Sequence, residues 1–329
     1  MAPQDTARHL LAISHGRPTS VHDALSAGLT RGQLRAAVAA GTITRVSHGV
    51  VTVTHVDGLS AREAHLDAIS AMATTHDDLV FSHDTAAFLL GIPLLAGIPR
   101  DIHGYHAAPR RHPGLFRHRG TVTADDVVTV DGLMTTSPWR TACDLARRSS
   151  LPIGLMALDH VMRQRVLALA GRPDLPDHEV VEFSEPMAWA MAELSEQVRS
   201  AKRRHGVARL RHAAAATSPL AESPAESFAR GHFLSAGIPI RGLQWRVIDS
   251  DGTARRLDFL FDDYLAGECD GLLKYEGADG AQALRKEKRR DLALAGVGID
   301  TVRWAAGQFF TDPRSVISAI RARRRSRWR

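Results

Sequence analysis

The stretch RRLDFLFDDYLAGECDGLLKY, residues 255–275, decides how the C-terminal part of the chain folds. Apolar runs on both sides of the triplet DDY predict an antiparallel hairpin. Residues two apart in a strand share a face, so Glu268 and Asp270 point together. A three-residue loop would place Asp258 directly opposite Glu268, whereas a two-residue loop would place it opposite Gly267. Either register brings carboxylates of neighbouring strands together.

These carboxylates predict a metal site, because facing acids repel each other unless a cation or a proton lies between them. Mg²⁺ takes oxygen ligands, and Mg²⁺ or Mn²⁺ could activate water for phosphodiester hydrolysis. A continuous strand would direct Lys274 to the same side as Glu268 and Asp270. The alternative is structural: these two acids could be exposed and paired with Arg255 or Arg256.

The segments around the hairpin predict the element order αβββαβα. A helix begins at SPAESFAR, where Ser223 is the cap, Pro224 takes the first turn and Glu226 completes a capping box. Three strands follow this helix. After them come a helix in GAQALRKEKRRDLALAGV, a fourth strand in IDTVRWA and a last helix from about Asp312. Glu226 has two interpretations, as a helix cap alone or as an acid that completes the metal site.

The segments SPAESFAR, RLDFLF, GECDGLLKY and LRKEKRRDLALAGVGIDTVRW resemble a nuclease-like branch of the PD-(D/E)XK superfamily that is related to very-short-patch repair endonucleases. The resemblance covers roughly the last 110 residues. It implies a restriction-endonuclease-like αβββαβ core and a metal-dependent endonuclease site. The implied catalytic residues are Asp258, Glu268, Asp270 and Lys274, and the implied metal ligands are Glu226, Asp258 and Glu268.

One position departs from the superfamily's third motif, which is usually an acid, one residue and a lysine. The residue after Cys269 is Asp270, so the catalytic lysine is displaced to Lys274 or Lys288, or it is absent. A domain of this fold that only binds nucleic acid is therefore an alternative.

Residues 4–55 predict three short helices followed by a two-stranded hairpin. This is the order of a winged helix-turn-helix, in which the third helix enters the DNA major groove. The alternative is a small helical module that packs against the rest of the chain or another protein. The predicted DNA contacts are Arg31, Gln33 and Arg35 on the third helix and Arg45 and His48 in the wing.

The stretch ALSAGLTRGQLRAAVAAGTITRVSHGVVTV resembles the N-terminal winged-helix domain of AbiEi-type antitoxins of type IV toxin–antitoxin systems. The AGLTRGQL turn-helix and the GTITRVSHGV wing carry the resemblance. It covers about a sixth of the chain. It implies a DNA-binding regulator with a possible toxin or operon partner.

The chain is expected to hold three domains: a winged helix-turn-helix in 1–57, a middle α/β domain and linker in 58–186, and a nuclease-like domain in 187–329. One long helix from Met187 to Ala216 should open the third domain. The histidines of the middle domain match no zinc spacing and are expected at the surface. They are His103, His106, His112 and His118.

The net charge of +6 favours an anionic partner, with DNA first among nucleic acids. Basic residues concentrate in 199–212 and in the C-terminal 321–329. The two cysteines are too few for a disulfide framework, and the sequence offers neither a membrane span nor a secretory signal. We therefore expect a cytoplasmic protein without a membrane partner.

Together these patterns predict an α+β multidomain DNA-binding protein with a metal-dependent endonuclease-like domain that acts in defence or repair. The alternative is a non-catalytic transcriptional regulator or antitoxin of a type IV toxin–antitoxin system.

Overall fold

The computed structural model describes residues 1–47, 49–54, 60–76, 78–106, 114–172, 183–270 and 280–326. They form a mixed α+β protein with two compact units, Met1–Ser137 and Pro138–Arg329. No helix in these ranges is long and apolar enough to cross a membrane.

The first unit begins with three helices and a hairpin, as the sequence predicts. The elements are α1 (Pro3–Ser14), β1 (Thr19–Ser20), α2 (Val21–Ser26), α3 (Arg31–Ala39), β2 (Ile43–Ser47) and β3 (Val50–Val53). Ser20 caps α2, and Thr30 forms a capping box with Gln33 at the start of α3. The short strand β1 was not predicted; it pairs with β3 at the edge of a sheet ordered β1-β3-β2. Leu10, Leu34 and Ile43 lie in the core beneath this sheet.

A second sheet completes the first unit. The strands of this sheet and the helices between them are, in chain order, α4 (Ala61–Thr75), β4 (Val80–Phe81), α5 (His83–Leu90), β5 (Ile102–Tyr105), β6 (Leu115–His118), a 3-10 turn (Ala124–Asp126), β7 (Val127–Val130) and β8 (Leu133–Thr136). The strand order is β6-β5-β4-β8-β7. The sheet buries Phe81 and Ile102 against Ile69 of α4 and Phe88 of α5. Helices and strands are both present here, as expected for the middle α/β region.

Four helices open the second unit: α6 (Pro138–Arg148), α7 (Leu151–Leu169), α8 (Ser184–Ser200) and α9 (Val207–Ala216). The prediction of one helix over 187–216 is wrong. Gly206 has a φ of +78°, in the left-handed region that an α-helix cannot continue through. A Cβ at this position would collide with the backbone carbonyl of Arg147.

The rest of the second unit follows the predicted αβββαβα order, with one extra short helix before the last. Its elements are α10 (Pro224–Ser235), β9 (Gly242–Ile248), β10 (Ala254–Asp262), β11 (Leu265–Asp270), α11 (Gly280–Gly296), β12 (Asp300–Ala305), α12 (Ala306–Thr311) and α13 (Pro313–Ser326). The sheet order is β12-β11-β10-β9. Strands β11 and β12 are parallel, and the other pairs are antiparallel.

This sheet separates two cores. Phe259 and Phe261 pack on Phe233 of α10 with ring centroids 5.4 and 5.0 Å away, respectively. Leu257 instead packs with Leu294 of α11. The parity rule, which places Leu257, Phe259 and Phe261 on one face, therefore fails here. The β9–β10 ladder is distorted next to this point, since Gln244 has a φ of +50°.

Candidate functional site

The hairpin register brings Asp258 opposite Glu268. Phe259 pairs with Gly267 and Leu260 with Ala266, so one further step aligns the two acids. The turn differs from the predicted three-residue loop. Asp262 rather than Phe261 pairs with Leu265, and the irregularity between Leu260 and Asp262 restores the register.

Asp258 is fixed by the neighbouring strand. Its Oδ2 accepts a hydrogen bond from the Cys269 backbone N–H at 2.8 Å. Burial raises the pKa of Asp258, although this hydrogen bond and the charges of Arg290 and Arg256 oppose the rise. The carboxylate is therefore held in a place where ionisation is costly.

Glu226 was predicted as a helix cap alone or as an acid of the metal site. Its carboxylate accepts from the Ser223 hydroxyl at 2.7 Å and from the Glu222 backbone N–H at 3.0 Å. The cap of α10 is the Ser223 hydroxyl, which accepts from the Glu226 backbone N–H, and the carboxylate bonds to Glu222 in place of the Ser223 N–H that a capping box would use. Gln244 Nε2 donates to the same carboxylate from β9 at 3.0 Å. Burial raises the pKa of Glu226 to about 7, and the charge of Asp258 adds to this shift. The Glu226 carboxylate thus binds the capping hydroxyl of Ser223 and also faces the acid of β10.

Glu268 is buried between two arginines. Arg290 Nη2 lies 2.5 Å from Oε1, and Arg303 Nη1 lies 2.9 Å from Oε2. Burial raises the pKa of Glu268 to about 7, although both arginines oppose the rise. The alternative partners considered from the sequence have contacts of their own: Arg255 binds Asp249, and Arg256 binds Glu222. The sequence of the hairpin could not reveal Arg303, which comes from the parallel neighbour β12.

Arg303 joins the acids of the sheet to those of α11. Its Nη1 lies 3.3 Å from Asp270, its Nε 3.3 Å from Glu287 and its Nη2 3.1 Å from Asp291. Lys288 is exposed on α11. Lys274, the other candidate for the catalytic lysine, lies outside the described residues, as does His48.

Gln244 is a site residue that the sequence analysis missed. It is 4% exposed, its backbone is left-handed, and its Oε1 has no hydrogen-bond partner among the described residues. Strain and an unpaired buried oxygen at one residue are features of functional sites. A glutamine between the apolar residues Leu243 and Trp245 was the only signal in the sequence.

The arrangement does not fit the predicted Mg²⁺ or Mn²⁺. Both oxygens of Glu226 accept from N–H or O–H groups, and both oxygens of Glu268 contact guanidinium groups, whose charge repels a cation. The described residues contain no group of three or more acids, histidines or cysteines placed to hold a metal.

A second candidate site lies between α3 and the hairpin of the first unit. Arg31, Arg35 and Arg45 line a cleft of about 220 Å³. All three are exposed, and none forms an ion pair with another described residue. The floor of the cleft is apolar and consists of Val21, Leu34, Val38 and Val51. Gln33 lies apart, because its Oε1 accepts from the Thr30 backbone N–H at 2.8 Å.

The histidines of the middle region are not simple surface residues. His103, His106 and His118 are half-buried, and His112 lies outside the described residues. His103 Nδ1 and His118 Nε2 are 2.9 Å apart, and the His118 ring stacks on the buried His83 ring at 3.5 Å. The prediction of surface histidines is therefore wrong for His103 and His118, since β5 and β6 pack their rings together. His106 packs on His76 instead.

Comparison with known proteins matches residues 4–193 to the family described as AbiEi antitoxin C-terminal domain. The match runs from α1 into α8 and leaves β9 to β12 outside. Two relatives, the uncharacterized proteins MT2308 and Rv2248, come from Mycobacterium tuberculosis strains CDC 1551 / Oshkosh and H37Rv. Each is 28% identical over 264 residues, which are 79% of this chain and 85% of the relative. The chain belongs to the AbiEi antitoxin C-terminal domain family.

Proposed function

We propose that this protein is a DNA-binding transcriptional regulator of the antitoxin type, with a toxin or operon partner in a type IV toxin–antitoxin system. Membership of the AbiEi antitoxin family supports this function. The observation that carries it is the cleft lined by Arg31, Arg35 and Arg45. We assign residues 1–57 to a winged helix-turn-helix, with α3 as the recognition helix and β2–β3 as the wing.

The chemistry of the cleft suits a nucleic-acid backbone. Arg31 and Arg35 are four residues apart, so they project from the same face of α3. Arg45 on β2 adds a third guanidinium from the hairpin side. Guanidinium groups bind phosphate oxygens through two parallel hydrogen bonds, and no acid among the described residues competes for them.

The test is a mobility-shift titration with the DNA upstream of the protein's own gene. Arg31→Ala/Arg35→Ala should weaken binding by about 2 kcal/mol or more and lower the salt slope by about 2. Arg8→Ala is the matched control, because Arg8 is exposed but already paired with Asp5. Wild-type affinity and slope in the double variant would contradict the proposal.

In this function the second unit is a binding module with a PD-(D/E)XK-like core. Its element order and mixed sheet support that fold. Both oxygens of Glu268 are paired with Arg290 and Arg303, which favours a role without metal chemistry. We assign this core to residues 217–329 of the second unit.

A metal-dependent endonuclease is the second candidate, favoured by the buried acids Glu226 and Glu268, whose pKa values are both raised in part by the charge of the half-buried Asp258. Catalysis would require Glu268 to exchange its arginine partners for Mg²⁺ or Mn²⁺. Purified protein should then nick plasmid DNA with either ion but not with EDTA. Asp258→Asn should abolish nicking while the metal-free melting temperature holds or rises, because repulsion from Glu226 is removed. Intact plasmid, together with a melting temperature that metal does not change, would contradict the endonuclease and favour the regulator.

A further inference from the structure

Helix α11 presents a cationic stripe to solvent. Arg285, Lys288 and Arg289 are exposed, and their spacing of three and four residues places them on one face. None of them forms a hydrogen bond or an ion pair with any residue in the described ranges. Leu292, which is 74% exposed, continues the same face.

The acids of this helix face the other way. Glu287 and Asp291 both contact Arg303 of β12, at 3.3 and 3.1 Å. Arg290 also turns inward, where its Nη2 donates to the Arg256 carbonyl oxygen at 2.9 Å and contacts Glu268. The helix is thus fixed to the sheet by ion pairs, and its described outward side chains include no acid.

The stripe is unfavourable for the isolated helix. Arg285 has Lys288 and Arg289 as its neighbours at i+3 and i+4, and like charges at these spacings destabilise a helix. A solvated helix face usually mixes both signs of charge, since opposite charges at the same spacings are stabilising. An anionic partner would remove the repulsion.

We propose that this stripe binds the phosphate backbone of duplex DNA, as a second DNA contact beyond the cleft of the first unit. Residues 285–289 span about 6 Å along the helix axis. Duplex DNA carries one negative charge per about 1.7 Å, so this length faces about three or four phosphate charges. A protein partner fits less well, because the centres of protein interfaces are depleted of charge and rich in aromatic residues.

The experiment measures binding of the full chain to a random-sequence duplex at several KCl concentrations. Arg285→Gln/Lys288→Gln/Arg289→Gln should lower the slope of log K against log salt by about 2 to 3, since each phosphate contact contributes about 0.9. The control Arg199→Gln/Arg241→Gln/Arg323→Gln removes the same formal charge from arginines that already pair with Glu196, Asp263 and Asp300. Its slope should change by less than about 1.

Two further variants make the result specific. Arg285→Lys/Arg289→Lys keeps the charge and should keep the wild-type slope. In an Arg31→Ala/Arg35→Ala chain the stripe substitutions should lower the residual slope again, so failure of the α3 proposal would leave this test intact. Glutamine has a helix propensity close to that of lysine and arginine, and circular dichroism checks the fold. An unchanged slope, or an equal loss in the control triple, would overturn the proposal.

Discussion

At the residue scale, Glu226 serves the fold and the candidate site together. Its carboxylate accepts from the hydroxyl of Ser223, the cap of α10, and also from the Glu222 N–H and from Gln244. The same group is 7% exposed and faces the charge of Asp258. Capping requires an acceptor but not a charge, so the buried carboxyl can hold a proton near neutral pH without losing α10.

The raised pKa values predict that stability falls as pH rises. Glu226 and Glu268 shift from an ordinary value of 4.5 to about 7. Between these values the folded chain binds more protons than the unfolded chain, so the free energy of unfolding decreases with pH. Each group should contribute up to about 3 kcal/mol to this loss, complete above about pH 7. Thermal unfolding between pH 5 and pH 8 measures it.

The variant Glu226→Gln should remove about half of this pH dependence, because its side chain does not titrate. Glu196→Gln at an exposed position is the control and should keep the wild-type profile. A pH profile of Glu226→Gln that matches the wild type would mean that Glu226 is ionised normally in the folded chain.

Among the residues that contact the cluster of carboxylates on β11 and α11, Arg303 is predicted to be the one whose substitution lowers stability most. It contacts Glu268, Asp270, Glu287 and Asp291, and its side chain is only 17% exposed. Arg303→Gln should lower stability by about 3 kcal/mol, because it leaves buried carboxylates without their cation. Arg199→Gln, which breaks an exposed pair, should cost under about 1 kcal/mol. Urea unfolding at pH 8 compares them, and equal effects would refute the role of Arg303.

The sequence could predict part of this cluster and not the rest. The local hairpin pattern predicted Asp258 opposite Glu268, and the irregularity between Leu260 and Asp262 keeps that alignment although the turn is shorter than predicted. The arginine partners depend on which strand lies on the other side of β11, and no local pattern specifies that. Gln244 was missed for the same reason, since its left-handed backbone arises within the assembled sheet.

At the scale of elements, the break between α8 and α9 depends on a single close approach. Gly206 is left-handed and lies against the carbonyl of Arg147, and Arg147 Nη1 donates to the His205 carbonyl oxygen at 2.9 Å. The turn between the two helices is therefore held by α6. The predicted continuous helix ignored this contact, because helix propensity alone cannot detect it.

Gly206→Ala should destabilise the protein by about 3 kcal/mol or more, through backbone strain and collision with Arg147. Gly237→Ala is a matched control. Gly237 also has a positive φ, of +68°, but its Cβ would meet nothing within 4 Å. Its cost should be limited to about 1 kcal/mol of strain. Chemical denaturation of both variants measures the difference, and similar losses would show that α6 does not hold the turn.

Most helices and strands followed from local signals. The cap at Ser223 marked a helix start correctly, because a cap bonds within three residues of itself, and Ser20 and Thr30 form caps of the same kind. The strands β1 and β4 were missed, since each has two residues, which are too few to show a periodicity. Such short strands exist only because a longer strand lies beside them.

At the scale of the whole molecule, the net charge of +6 does not tell which basic residues are available to DNA. Two arginines of the basic C-terminal segment lie on α13 and already have acid partners. Arg323 pairs with Asp300 at 2.8 Å, and Arg324 pairs with Asp262 at 3.1 Å. The cleft arginines of the first unit and the stripe on α11 lack acid partners among the described residues.

This contrast predicts that the position of an arginine affects the salt dependence of DNA binding more than the total charge of the chain does. Arg323→Gln/Arg324→Gln should change the salt slope of DNA binding by less than about 1, because those guanidinium groups are already neutralised and release few ions on binding. Arg31→Ala/Arg35→Ala removes the same charge and should lower the slope by about 2. Both variants lose two positive charges, so a titration of each against one duplex compares placement alone. Equal reductions in slope would mean that DNA senses the total charge of the chain, and the cleft would lose its claim to be the binding site.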